Sequence, residues 1–288
     1  MIKITECPRD AMQGLKSFIP TDRKINWLNA LLKVGYDVLD FGSFVSSRVI
    51  PQLKDTSLIV EKLDLDSTDT KLLAITANHR GAQEACRFEQ ISFLGYPHST
   101  SETFLKRNIN SNIKSSRLEL EKIQNIAKKN NKEVLVYIGM CFGNIYGETW
   151  YEETILEEVS RLKEIGISNI AMSDTSGVGT KEVISSVMTS LFKNFPKINF
   201  NLHLHTTPIN WHEKVDAAYK SGCRHFDVVI NGMGGCPLAA SKMTGNLNTS
   251  LLLEYIAKNK IENKINKENF NKAAFLTFDI FRNIHQVM

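Results

Sequence analysis

The sequence lacks what would send it to a membrane, an oxidising compartment or a nucleic acid. No stretch approaches the ~18 consecutive apolar residues of a membrane span. Lys3, Glu6, Arg9 and Asp10 interrupt any apolar core of a signal peptide. Cysteines number five (Cys7, Cys86, Cys141, Cys223 and Cys236), an odd and scattered set with no Cys-x-x-Cys pair. That argues against a disulfide framework and structural zinc, and the expected setting is a reducing, cytoplasmic one. Thirty-five Lys and Arg against 31 Asp and Glu leave a net charge of +4. So weak an imbalance makes no case for nucleic acid.

What is present is globular. Hydrophobic residues make up 42% and charged residues 23%, close enough to the average to exclude a disordered, collagenous or coiled-coil chain. The 288 residues suffice for one α/β barrel, which commonly runs to about 250. Short β-rich runs alternate with longer helical patterns. The strands are expected at Ile2–Cys7, Asp37–Gly42, Lys71–Ala77, Gln90–Leu94, Val134–Met140, Asn169–Ser173, Asn199–His205 and Arg224–Ile230. Most are near-continuous apolar runs, as strands covered on both faces require.

Helices are expected at Arg23–Val34, Asn112–Asn130, Glu152–Glu164, Lys181–Phe192 and Trp211–Lys220. Gly35, Gly166 and Gly222 suit the position just past a helix end, and Thr180 and Asn210 suit N-caps. Eight strand–helix units predict a parallel (β/α)8 TIM barrel over residues 1–258. Residues 259–288 read as a charged linker and an extra helix, Phe270–Ile284, packed on the barrel. A doubly wound open sheet is the alternative, weakened by the absence of Gly-x-Gly-x-x-Gly after the first strand.

In a barrel, chemistry sits at the C-terminal ends of the strands. Six of the eight ends carry polar or reactive groups: Arg9, Asp10 and Gln13; Asp40; Asn78; Asp174 and Thr175; His203 and His205; and the loop Gly232–Pro237 with Cys236. Residues two apart on a strand share a face, so His203 and His205 enter the mouth side by side. With Asp10 from the first strand they form a mixed nitrogen and oxygen set suited to Mg or Mn. Arg9 and Asp10 are neighbours, so a turn must begin at Pro8 if both face the mouth.

These residues fall into motifs. Glu6-Cys7-Pro8-Arg9-Asp10-Ala11-Met12-Gln13, Ser43-Phe44-Val45-Ser46 with Pro51-Gln52, Ser173-Asp174-Thr175-Ser176-Gly177, His203-Leu204-His205, Gly234-Gly235-Cys236-Pro237 and Gly245-Asn246-Leu247 occur in that order. Their combination over roughly residues 2–255 resembles the 3-hydroxy-3-methylglutaryl-CoA (HMG-CoA) lyases, within the metal-dependent lyase and aldolase barrels. The resemblance implies cleavage of HMG-CoA to acetyl-CoA and acetoacetate, a CoA thioester as the small-molecule partner, and the family's setting in leucine catabolism. No nucleic acid or membrane partner is implied, and a homodimer is left open.

Carried onto this chain, the resemblance implies Asp10, His203, His205 and Asn246 as ligands of a divalent cation. Arg9 would hold the thioester oxygen, Asp10 or His203 would take the hydroxyl proton, and Cys236 would relay a proton from a mobile loop. Gln13, Asp40, Asn78, Asp174 and Thr175 are the expected substrate contacts. The chain departs from relatives in three places: Asp40 stands where Glu is common, Thr206 where Asp is common, and the segment from Cys236 to Asn246 is one residue longer than in the animal-type lyases. A related acyl-CoA lyase or Claisen-condensing synthase of the same superfamily, and a non-catalytic CoA-binding barrel, are the competing readings.

Overall fold

All eight expected strands form, in the expected order. The computed structural model describes residues 1–235 and 244–282. The strands are β1 (Lys3–Glu6), β2 (Val38–Ser43), β3 (Lys71–Ile75), β4 (Ile91–Ser99), β5 (Glu133–Gly139), β6 (Asn169–Asp174), β7 (Asn199–Thr206) and β8 (His225–Val228). Each pairs in parallel with the next, and β8 pairs in parallel with β1, which closes the barrel. A ninth short strand, β9 (Gly245–Asn246), runs antiparallel to β7 and sets Asn246 opposite His205.

The largest difference in extent is at β4, which continues through Pro97 and His98 to Ser99. Proline in a strand reads as a break because it cannot donate to the ladder. Here the strand runs on beside β5, with Pro97 opposite Tyr137. Gly35, Gly166 and Gly222 follow helix ends with φ of +93°, +87° and +106°. Thr180 caps its helix by accepting the Val183 N–H. Asn210 does not cap; its Oδ1 accepts the Thr207 N–H at 2.8 Å and closes the preceding turn instead.

Two apolar layers result from strands covered on both sides. The larger lies between the strands and the surrounding helices. A smaller one fills the barrel itself with Val38, Leu73, Ile75, Leu135 and Ala171. Alternation along the strands then sets polar side chains further along on the same inward parity, such as Asp40 two residues after Val38. The helix Lys267–Arg282 lies against the helix Thr21–Leu32. There the Trp27 Nε1 donates to Thr277 Oγ1 at 2.8 Å, and the Trp27 and Phe281 rings meet edge-on at 5.7 Å. Among the described residues no helix is long and apolar enough to cross a membrane, and Cys7, Cys86, Cys141 and Cys223 are free thiols.

Candidate active site

A short helix, Pro8–Gln13, decides how β1 delivers its chemistry. Pro8 sits in its first turn, where a missing N–H costs nothing. An extended chain would send Arg9 and Asp10 to opposite sides; the helical turn brings both, with Gln13 one turn later, onto the wall of one cavity. That cavity opens at the C-terminal ends of the strands and has a volume of about 530 Å³.

Arg9 is held from three sides. Its Nε and Nη2 donate to Asp40 Oδ2 at 3.0 and 2.6 Å, and its Nη1 donates to Asp10 Oδ1 at 3.2 Å and Gln13 Oε1 at 2.9 Å. Among the described residues, four of the five guanidinium N–H groups are thereby engaged, leaving one on Nη2. Burial works against its charge, but Asp40 and Asp10 outweigh burial and hold the protonated form. Asp10 is likewise kept ionised: burial pushes its carboxyl up, while Arg9, His203, His205 and the Asn246 amide bring it below the usual range.

Asp10, His203 and His205 offer ligand atoms that all lie within 4.8 Å of one another. Asn246 completes the set. Its Nδ2 donates to Asp10 Oδ2 and to the Met233 carbonyl, both at 2.8 Å, while its buried Oδ1 has no partner among the described residues. An unsatisfied buried acceptor costs roughly 1–3 kcal/mol, and a cation between two imidazoles and a carboxylate is the partner that fits. Mixed nitrogen and oxygen donors of this kind suit a divalent cation with open positions. Burial and the neighbouring His203 lower His205 to about 4, so its ring is neutral at pH 7 and could offer a lone pair to a metal.

A second cluster, Cys7, His203 and Asp227, fits a metal poorly. Burial pushes the Cys7 thiol well up, so it offers no thiolate, and the Asp227 oxygens are already engaged by Asn201 and His203. The loop before Cys236 passes close by. A Cβ on Gly234, where φ is +78°, would lie 2.6 Å from the Asp10 carbonyl oxygen. Glycine is required there for close approach as well as for its left-handed backbone.

The remaining expected residues divide. Gln13, Asn78 and Thr175 line the cavity; Asn78 also caps a helix by accepting the Gly81 N–H. Asp40 is fully buried beneath Arg9 and does not line the cavity. Asp174 is 1% exposed and turned away, paired at 2.6 Å with Lys214 and accepting the Gly179 N–H at 3.0 Å. Cys236 lies outside the described residues.

Sequence reasoning missed Tyr137, Asn201 and Asp227. Tyr137 lines the cavity, meets the His203 ring edge-on at 5.9 Å, and has a buried hydroxyl with no partner among the described residues. Asn201 precedes His203 by two on β7, so the inward parity of the His pair could have found it. Asp227 carried no local signal; only the register across to β8 brings it to His203.

Comparison with known proteins agrees with this fold. The HMGL-like family model matches residues 2–276. The hydroxymethylglutaryl-CoA lyase YngG of Bacillus subtilis is 29% identical over 270 residues, 93% of this chain and 88% of the relative. The cytoplasmic 3-hydroxy-3-methylglutaryl-CoA lyase of Rattus norvegicus is 31% identical over 255 residues, 88% of this chain and 73% of the relative. The crystal structure of the Bacillus subtilis HMG-CoA lyase superposes with a TM-score of 0.90 at 28% identity, covering 96% of this chain and 93% of that one. The family match spans nearly the whole chain and the relatives share its full barrel, so this chain belongs to the HMGL-like family.

Proposed function

We propose that the chain is a carbon–carbon lyase that cleaves 3-hydroxy-3-methylglutaryl-CoA to acetyl-CoA and acetoacetate, in the cytoplasm and with Mg or Mn. The observation that carries this reading is the unpartnered Asn246 Oδ1 beside Asp10, His203 and His205, in the same cavity as Arg9. These four residues would hold the divalent cation, which when bound supplies Lewis-acid polarisation of the tertiary hydroxyl.

The chain's own residues do the rest. The hydroxyl proton passes to Asp10 or His203, and the O–H electron pair becomes the carbonyl of acetoacetate. The bond between carbons 2 and 3 breaks, and its electrons move into the thioester enolate. The N–H of Arg9 left without a partner among the described residues would hold the enolate oxygen, and its guanidinium would stay charged throughout. Carbon 2 then takes a proton, for which Cys236 is the proposed donor: an ordinary thiol is mostly protonated at pH 7. Gln13, Asn78 and Thr175 line the space where the substrate's acyl portion would lie.

The test is direct. Incubation with HMG-CoA and Mg²⁺ should release acetyl-CoA and acetoacetate in equal amounts. No product with either Mg²⁺ or Mn²⁺ would overturn the reading. Condensation of acetyl-CoA with a 2-oxo acid under the same conditions would move the chain to the synthases.

A further inference from the structure

Below the mouth, a buried chain of polar groups ends on one of the expected metal ligands. Asp227 has a fully buried side chain. Its Oδ1 accepts from Asn201 Nδ2 at 2.7 Å, and its Oδ2 faces His203 Nδ1 at 3.2 Å. The other nitrogen of that ring, Nε2, faces Asp10 Oδ2 at 3.9 Å. The sheet builds this arrangement: Asn201, His203 and His205 share one side of β7, and the register of β7 on β8 sets His203 directly beside Asp227.

An ionised carboxylate can only accept hydrogen bonds. The nitrogen that faces it must therefore carry the proton. In a neutral ring this leaves the lone pair on Nε2, on the side of Asp10, His205 and Asn246. Without Asp227 the carboxylate left facing the ring would be Asp10, 3.9 Å from Nε2, which would draw the proton to the metal side instead. Asn201 matters in the same way, because its amide donates to the Asp227 oxygen that His203 does not use.

We propose that Asp227 is a positioning residue, which fixes His203 as the Nδ1–H tautomer and turns Nε2 toward the divalent cation, with Asn201 holding Asp227 in place. The proposal rests on the metal reading given above. Metal-bound imidazoles commonly use their second nitrogen in this way, and losing the outer partner costs about 10–100-fold in metal affinity.

Two measurements on the full-length chain decide it. The first is ¹⁵N NMR of the metal-free wild type at alkaline pH, where the ring is neutral, with the His203 signals identified by their loss in His203→Gln. The Nδ1–H form is expected, and the Nε2–H form would overturn the proposal even if no Asp227 variant folds. The second is Mn²⁺ binding, followed by the electron paramagnetic resonance of free Mn²⁺. Asp227→Asn replaces one acceptor with a donor and should weaken Mn²⁺ binding about 10–100-fold, with the fold intact by circular dichroism. A folded Asp227→Asn chain that binds Mn²⁺ as tightly as wild type overturns the positioning role and leaves the metal reading standing. A wild-type chain that binds no Mn²⁺ overturns both.

Discussion

Asp40 grips Arg9 chiefly through one carboxylate oxygen, Oδ2, which accepts from Nε at 3.0 Å and from Nη2 at 2.6 Å, while Oδ1 accepts from the same Nε at 3.3 Å. Burial raises Asp40 to about 6, still below neutral pH, so the carboxylate is ionised when the enzyme works. Its charge fixes the plane of the guanidinium and aims the one spare N–H. Asp40 thus acts on the chemistry through Arg9 rather than on the substrate.

Arg9→Lys keeps the charge but loses the planar fork. Losing one such donor typically costs about 10²–10³ in kcat, and Arg9→Lys should fall in that range. Asp40→Asn should cost less, about 10–100-fold, as for other supporting partners. Asp10→Asn should be the most severe of the carboxylate changes. Acetoacetate release by the folded variants gives the ranking, and an Asp40→Asn chain slower than Asp10→Asn would show that the roles are misassigned.

Chelation should abolish turnover, and added Mg²⁺ or Mn²⁺ should restore it. Asn246→Ala removes the proposed ligand oxygen that has no partner among the described residues. It should lower Mn²⁺ affinity by at least the roughly 10–100-fold that follows loss of an outer partner. Titration with Mn²⁺ checks this, and unchanged affinity would remove Asn246 from the ligand set.

Asp174 should matter for stability rather than for substrate binding. Lys214 is buried with all three donors engaged, at Asp174 Oδ2 (2.6 Å), the Gly177 carbonyl (2.9 Å) and the His205 carbonyl (3.1 Å). Breaking such a buried pair by removing one partner costs about 3–5 kcal/mol. Asp174→Asn should therefore unfold at lower urea concentration with KM unchanged. A raised KM at wild-type stability would return Asp174 to the substrate contacts.

Glu6 sets a pH dependence. Burial raises it to about 8, against the pull of its bonds to the Ile230 N–H and the Thr249 hydroxyl. The folded chain then keeps a proton that the unfolded chain has released above its ordinary value of 4.5. Stability from this group is complete below that value and is lost as pH rises toward 8. Glu6→Gln cannot ionise, so its unfolding free energy should gain on wild type between those two pH values. A constant difference across that window would refute the assignment.

Much of this was readable from local pattern. Apolar runs and helical spacing marked the eight strands and their order, because both periods are properties of adjacent residues. The same alternation placed His203 and His205 on one face, and Pro8 marked the turn that brings Arg9 and Asp10 together. Motif order sufficed for the family.

Tertiary structure alone decided the partners of the buried charges. Asp174 and Thr175 were both expected at the mouth, yet only one parity faces it: Thr175 lines the cavity, and Asp174 meets Lys214 from the helix Trp211–Lys220. Asp40 reads as a strand-end acid, and only the pairing of β1 with β2 sets it under Arg9. Asp227 has no local mark at all; it becomes the partner of His203 because β7 and β8 pair in one register. Period is written between neighbours along the chain, whereas closure and register are fixed by how strands far apart in sequence share one interior.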